Sequence, residues 1–586
     1  MKKFLAILLA LCCALPLAAC GEAEDGGKTK NNVKGADKTQ IEFINFNGGV
    51  GSVWLENAAE EFATIHKDDS FAPGKTGVYI NISKSMGIDT ANMGDASFDI
   101  YTAEQFVSPN ALAQQGKLYS IDDLVRDTDR EGGSLDSIIY ETAKGNLQGN
   151  DGKYYGLPHY ESYGGLSYNY LAFNDIDGNG SGAFFADDSD TAAVPFTSTY
   201  SDGEYLFTTS DGVLSKGPDG KANTEDDGLP ASLEEFMVLM DYIAQSGKYA
   251  PVVLSGKCSN YANYFIAGLW GALAGKEQMT NYYNCTGRIE VVKRTGEGGI
   301  AYTTENLFKG IDYIKKPQTE WVEMTEATGY LGNDMAAKFY ALSMLEIMQK
   351  EGFFSTDTNN PNKTHYDAQM ALYAGSDMNY KDAAMLIEAS YWYNENKEGG
   401  CFNKLKVANG KTEVDIDVRV FSLPSSYYYD PSATGHDTAF VDISMCYLFV
   451  NKNLEKSPEK EKAVLEFLKF LYSTEQLQAF TATTGMPRAL SYDLTAEQKS
   501  QVGNFYRRMW EVRNWHDGSN VVYWSGSTSA FRQAKDALKL NLFGDPLRTT
   551  DGSSNSYEYV KALGASTSFD RTAITKVAWD GLYKAA

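Results

Sequence analysis

Cysteine is scarce in this chain of 586 residues: there are seven, and three of them (Cys12, Cys13 and Cys20) fall in the first twenty positions. The other four, Cys258, Cys285, Cys401 and Cys446, match no zinc-ligand spacing, and a body this large needs no disulfide staples. Cys258 and Cys285 could bridge, although buried free thiols are the better expectation. Histidine is equally sparse, with His66, His159, His365, His436 and His516 isolated from one another. The chain lacks His-Glu-x-x-His and Gly-x-Ser-x-Gly, and Gly271 to Lys276 has the wrong spacing for a phosphate loop. Positive charge is also short: 52 Lys and Arg against 77 Asp and Glu leave a formal net charge of −25. A field of that sign repels phosphate, so nucleic acid is excluded as a partner and anionic solutes are disfavoured. Beyond residue 19 no stretch approaches the ~20 apolar residues of a membrane span.

What is present begins at the N-terminus. Lys2 and Lys3 precede an apolar run from Phe4 to Leu15, and Leu17-Ala18-Ala19-Cys20 closes it. This is the layout of a secretory signal over residues 1–19. The Leu-Ala-Ala-Cys ending resembles the bacterial lipobox, which implies that the Cys20 thiol takes a diacylglycerol and becomes the first residue of the mature chain. Residues 20–37 are polar and without aromatics, the composition of a flexible tether. The expected location is the extracytoplasmic face of the cell membrane, through the lipid anchor alone.

Removing residues 1–19 leaves 567 residues, too many for one core, so at least two lobes are expected. Hydrophobic residues at 43% and aromatics at 13% indicate a globular body. Gln40 to Phe46 is β-rich, Leu55, Ala59, Phe62 and His66 follow at helical spacing, and Gly77 to Ile82 and Ser97 to Thr102 predict two more strands. Such alternation implies an α/β fold with a mainly parallel sheet. Residues 174–229 break the pattern with twelve acidic residues, two lysines and eight glycines, which marks an acidic insertion. Ser232-Leu233-Glu234-Glu235 predicts a capped helix start, and the text to about 395 reads as mostly helical. Val418 to Leu423 predicts a strand. Ser457-Pro458 opens a helix burying Val464, Phe467, Leu468 and Leu471, and Ser473 caps the next.

Three stretches resemble the extracellular solute-binding proteins of family 1, the maltose-binding-protein type of bacterial ABC sugar importers. Tyr155-Gly156-Leu157-Pro158 with Leu166 to Asn169 is similar to the family's first interlobe crossover. Ala384 to Trp392 resembles its apolar strand and Gly-Ser-Trp-like turn, with Ala389 where glycine is commoner. Val450-Asn451-Lys452, the helix Ala463 to Tyr472 and Thr484-Gly485-Met486-Pro487 resemble the returning helix and its exit turn. Phe98-Asp99-Ile100 fits a Pro-Asp-Ile strand with Phe98 in place of proline. The resemblance implies a two-lobed, periplasmic-binding-protein-like α/β fold with hinge crossovers. On this chain, lobe one is 38–158 with 444–482, lobe two is 159–424 with 489–586, and 425–443 and 483–488 cross between them. It further implies a monomeric binder, not an enzyme, that captures a carbohydrate, of oligosaccharide size, by lobe closure and passes it to ABC permease subunits. A surface-anchored carbohydrate-active enzyme, which needs only two carboxylates, and a carbohydrate adhesin are the alternatives.

Carried over from that family, the cleft positions are Asn47, Glu104, Gln105, Tyr160, Glu161, Tyr163, Tyr391, Trp392, Tyr427, Tyr428 and Arg488. Flat aromatic rings suit the apolar faces of a pyranose, and carboxylates and amides suit its hydroxyls. For any single ring, core packing is an equal expectation. Within the insertion, Asp175, Asp177 and Asn179 place oxygens at alternate positions before a turn glycine, as a hard-cation loop requires. Ala186 stands where a complete EF-hand has a bidentate glutamate, so Asp219, the Lys221 carbonyl, Asp226 and Asp227 are expected to complete a structural Ca²⁺ site; a solvated acidic loop is the bland alternative.

Overall fold

The computed structural model describes residues 30–85, 87–91, 93, 97–103, 109–162, 164–174, 196–204, 206, 217–218, 228–258, 261–284, 286–296, 299–373, 382–399, 402, 417–421, 423, 440–442, 446–514 and 521–523. The first sheet uses β1 (Thr39–Phe46), β2 (Val78–Ser85), β3 (Ile100–Ala103) and β4 (Leu157–Pro158). These combine with β14 (Tyr447–Val450) in the order β2-β1-β3-β14-β4. β1 pairs in parallel with β2 and β3, whereas β14 returns from late in the chain and runs antiparallel between β3 and β4. Alternation in β1 turns Thr39, Ile41 and Phe43 inward. The helices Val53–Ile65 and Pro458–Leu471 share that core: the Phe467 ring lies 5.0 Å from Phe62 and 6.4 Å from Phe43. Val464, Phe467, Leu468 and Leu471 are all buried, as their spacing predicts.

The second sheet is built from β5 (Gly164–Asn169), β6 (Ala250–Val253), β11 (Ala383–Ala389) and β12 (Val418–Phe421), in the order β12-β5-β11-β6. β11 is buried at every position and central, antiparallel to β5 and parallel to β6. The helix Leu233–Ser246 packs Phe236 on Phe421 and Phe265; Ser232 caps it by accepting from the Glu235 amide, while the Glu235 carboxylate accepts from Ala231 N–H rather than closing the full capping box. The stretch before 395 is less helical than its sequence suggests. It also holds β7 (Arg288–Val292), β8 (Tyr302–Asn306), β9 (Lys315–Pro317) and β10 (Thr319–Glu323), paired as β7–β10 and β8–β9. β8 and β10 are exposed along most of both faces, so they carry no hydrophobic alternation to read. A last parallel pair joins β13 (Phe440–Asp442) to β15 (Val521–Tyr523).

The chain passes between the sheets in adjacent segments. His159 N–H donates to the Cys446 carbonyl, Cys446 N–H to Tyr160, and Glu161 N–H to Pro487, at 2.8, 3.0 and 2.9 Å. The helix Thr474–Thr484 ends at Gly485, whose φ of 72° is the left-handed cap that glycine adopts without strain. Just after Arg488 the chain lies on the first lobe: Tyr140 N–H donates to Ala489 and Ser491 N–H to Ile138. Among the described residues, the helix Asn504–Asn514 then reaches back to β12, and β15 to the helix Ala262–Asn284. Within 174–229, the described stretch is docked, with Ser198 Oγ donating to Asp241 and Tyr200 Oη to Glu351. Asp175, Asp177, Asn179, Asp219, Lys221, Asp226 and Asp227 lie outside the described residues, as does Cys20. Among the described residues no helix is long and apolar enough to cross a membrane.

Candidate binding site

β1 ends at Phe46, and its next residues, Asn47 to Gly51, form a tight loop with Gly49 and Gly51 at φ of 65° and 62°. Asn45 fixes this loop from below, donating to the Gly51 carbonyl at 2.9 Å and accepting from Thr102 Oγ1. In the other lobe β11 ends at Ala389, and Ser390-Tyr391 turns into the helix Trp392–Gly399. The two loops meet. Gly49 N–H donates to Glu395 Oε1 at 3.0 Å, and Asn394 Nδ2 donates back to the Gly49 carbonyl at 2.6 Å. Tyr506 Oη, on the late helix, donates to Asn394 Oδ1 at 3.3 Å. The loops lie beyond the carboxyl ends of their strands, where open α/β sheets bind ligands.

Behind this contact is a cluster of tyrosines and carboxylates. Tyr264 and Tyr391 share a hydroxyl–hydroxyl bond of 2.8 Å with their rings perpendicular, and the Tyr261 ring lies 5.3 Å from Tyr264. Glu388, 2% exposed, accepts from Gln369 Nε2 at 3.0 and 3.1 Å. Asn396 Nδ2 donates to Gln369 Oε1, which turns the amide so that its NH₂ faces the carboxylate. Burial pushes the Glu388 carboxyl well above the usual carboxylate range; the Glu395 charge adds to this and the Gln369 hydrogen bond opposes it. Burial likewise holds Tyr391 neutral, reinforced by its tyrosine neighbours and both carboxylates. Cys258 Sγ lies 3.7 Å from His365 Nδ1, but burial pushes the thiol up and the imidazole down. Neither shift favours the thiolate–imidazolium pair of a cysteine nucleophile.

No family model matches the chain, and no curated protein matches it. Among solved structures, a probable secreted solute-binding lipoprotein from Streptomyces coelicolor is similar at 12% identity and a TM-score of 0.50, over 94% of this chain and 100% of that one. A chitin oligosaccharide binding protein (13% identity) and the cyclic alpha-maltosyl-1,6-maltose binding protein from Arthrobacter globiformis (12%) each have a TM-score of 0.49, with the same coverage. The fold is that of a two-lobed solute-binding protein. The chain changes sheet between β4 and β5, around Tyr160, and between β12 and β14, before Cys446, and Pro487 lies against the first of these passages.

Of the positions expected to face solute, Asn47, Tyr160 and Tyr391 lie at the interlobe contact: Asn47 is in the Gly49 loop, Tyr391 in the facing turn, and the Tyr160 hydroxyl sits against Gly49. Three others are corrected. Trp392 is 0% exposed; its indole N–H donates to Ser167 Oγ at 3.1 Å, and Tyr373, Phe402 and Phe505 pack around it. It is a core residue of lobe two. Glu161 is fully buried against Arg513 Nε at 2.5 Å, and Arg513 also donates to the carbonyls of Arg488 and Leu490. The pair ties the passage at Tyr160 to the segment after Pro487. Arg488, also 0% exposed, sits over Phe480, Tyr472 and Trp54, with centroid distances of 4.1, 4.6 and 5.3 Å. Glu104, Gln105, Tyr163, Tyr427 and Tyr428 lie outside the described residues.

Sequence reasoning missed Glu388, Glu395, Asn394, Gln369, Tyr261 and Tyr264. Glu388 did leave a signal: it is the single charge in a seven-residue strand that is otherwise alanine, methionine, leucine and isoleucine. A charge there demands partners, because burial without them is costly. The two tyrosines left none, since each is one aromatic among 38 tyrosines.

Proposed function

We propose that this chain is a solute-binding lipoprotein that captures a carbohydrate, of oligosaccharide size, between its lobes and delivers it to an ABC importer. The observation that carries the reading is the contact of the Gly49 loop with Asn394 and Glu395, which shuts two lobes over tyrosines and carboxylates. Tyrosine faces pack on the C–H patches of a sugar ring while Glu388 and Glu395 serve its hydroxyls. Solute touching both lobes favours the closed arrangement, and a permease then meets a surface that the empty form does not present. The S. coelicolor protein of the same fold is named as a solute-binding lipoprotein, the role proposed here. We read the chain as a binder rather than an enzyme because the protein of the same fold is named as a solute-binding protein.

In this proposal Cys20 carries the lipid anchor and holds a monomeric body on the extracytoplasmic face of the membrane. Asp175, Asp177, Asn179, Asp219, the Lys221 carbonyl, Asp226 and Asp227 are proposed to hold a structural calcium ion, on the strength of their oxygen donors and turn glycines. The test of function is a thermal-shift screen over sugars, amino acids and phosphates, since a ligand of the folded state raises the melting temperature by mass action. Sugars alone should shift it. Release of smaller products from an oligosaccharide would favour a carbohydrate-active enzyme, and no shift with any sugar would remove the reading.

A further inference from the structure

The Asn394 amide that meets Gly49 has two ends, and the contact between the lobes uses one of them. The Gly49 carbonyl can only accept, so the amide must turn its NH₂ towards it. That leaves Oδ1 facing the other way in a buried side chain, where an acceptor needs a donor. Helix geometry does not set this choice, because the terminal torsion of asparagine is broad and nearly two-fold. Tyr506 supplies the donor: its hydroxyl reaches Oδ1 from a position 112 residues further along the chain. The helix Asn504–Asn514 that carries Tyr506 is seated on lobe two through Phe505, whose ring stacks on Tyr393 at 4.4 Å with the planes 5° apart. Its last turn is tied down by Arg513, which pairs with Glu161 and donates to the carbonyls of Arg488 and Leu490. The Tyr506 ring lies against the Gly485 turn so closely that a Cβ on Gly485 would stand 2.1 to 2.3 Å from its carbons. The same ring lines a cavity of about 200 Å³ with Leu494, Val502 and Trp510, so packing alone does not fix where its hydroxyl points.

We infer that Tyr506 is the positioning residue of the contact that shuts the lobes: its hydroxyl orients the Asn394 amide so that the NH₂ group meets the Gly49 carbonyl. The inference deepens the reading of the chain as a protein that closes on solute, and it rests on that reading. Gly485 serves the same end, since a turn without a Cβ lets the ring come near enough for its hydroxyl to reach Asn394. Removing the hydroxyl leaves the ring on its seat but frees the amide to rotate. The NH₂ group then faces Gly49 for only part of the time, and the bond from Gly49 N–H to Glu395 must hold the loop without its companion. Tyr506 thus acts on closure through Asn394, without touching the Gly49 loop's hydrogen bonds itself.

Amide hydrogen exchange on the full chain without solute reads this contact directly, because Gly49 N–H is one of its two bonds and exchanges only when the contact opens. Tyr506→Phe keeps the ring and removes the hydroxyl. It should speed exchange at Gly49 about fivefold, the scale of one neutral hydrogen bond. Asn394→Ala should speed it at least as much. Added to Asn394→Ala, Tyr506→Phe should change nothing further, because the hydroxyl works through the amide. The amides along β1, just before the loop, should keep the parent's rates in every variant. Unchanged exchange at Gly49 in Tyr506→Phe overturns the inference, as does the same acceleration with and without the Asn394 amide. Faster exchange throughout β1 would assign Tyr506 to packing, and a Gly49 amide that exchanges freely in the parent would remove the contact itself; either overturns it too. No sugar is added, so this result stands apart from the thermal-shift screen. A chain that shifts with no sugar loses the sugar reading alone, and a sugar binder whose Gly49 exchange ignores Tyr506 loses only the positioning role.

Discussion

Gly49 is the position at which one added methyl group tests the closed arrangement most directly. Its φ of 65° is left-handed, and a Cβ there would lie 2.5 Å from the Tyr160 hydroxyl and 2.9 Å from its Cζ. A non-glycine residue in that conformation costs about 1–2 kcal/mol, and the overlap with a buried ring adds to it. Gly49→Ala therefore forces the loop to shift. The shift matters because Gly49 N–H and C=O make the two hydrogen bonds to Glu395 and Asn394, which exist only when the lobes are shut. A neutral hydrogen bond is worth about 1 kcal/mol and one to a charged group about 1.5–3. Allowing for water taking up part of the loss, the closed state should be weakened by about 2 kcal/mol, or roughly 30-fold in solute affinity. Calorimetry on the solute identified by the thermal screen measures the affinity, and small-angle scattering of the ligand-free protein should show a larger radius of gyration. Asn394→Ala removes one of the two bonds without straining the loop and should cost less. Combining it with Gly49→Ala should cost less than the two losses added together, since both act on one contact. Wild-type affinity and unchanged scattering in Gly49→Ala would show that the Gly49 contact does not govern closure.

Three further outcomes follow from buried groups. Trp392→Ala should lower stability by about 3–5 kcal/mol, as for a large core aromatic, measured by urea unfolding; a variant that stays as stable as the parent but loses sugar binding would return Trp392 to the cleft. Arg513→Met strands the Glu161 carboxylate and should cost about 3–5 kcal/mol, much of it recovered when Glu161→Gln is added; equal losses in the single and double variants would mean that the pair is not coupled. His159 is fully buried between Trp54, Tyr160 and Phe480, with both ring nitrogens unpaired, and burial, helped by the Arg488 charge, lowers its pKa well below the ordinary value. The unfolded chain thus binds a proton that the folded one refuses, so this part of the stability is present above about pH 6.5 and is lost as pH falls below it. His159→Phe should flatten the melting temperature between pH 7 and pH 5 relative to the parent, and an equal acid loss in both proteins would assign it to other groups.

Where the chain meets water on one side and core on the other, its sequence determined the local structure. β1 alternates, the helix Pro458–Leu471 repeats its apolar residues at helical spacing, and Ser473 accepts from the Gln476 amide as its place before the next helix predicts. Local geometry and burial of one face act over a few residues, so these patterns stay readable without the fold. β8 and β10 were not readable, because strands exposed along most of both faces need no period. Identity at a strand end also misled: Trp392 and Glu161 have the chemistry of a sugar site, yet one packs against Tyr373 and Phe505 and the other against Arg513, which lies 352 residues further along the chain. The tertiary structure alone decided which polar residues face one another across the lobes. Gly49 and Glu395 are 346 positions apart, and nothing in either neighbourhood encodes the other. Their meeting depends on two sheets placed by crossovers that the chain makes at residues far from both. A side chain's surroundings are set by such long-range packing, whereas its own sequence neighbourhood sets only the direction of the backbone that carries it.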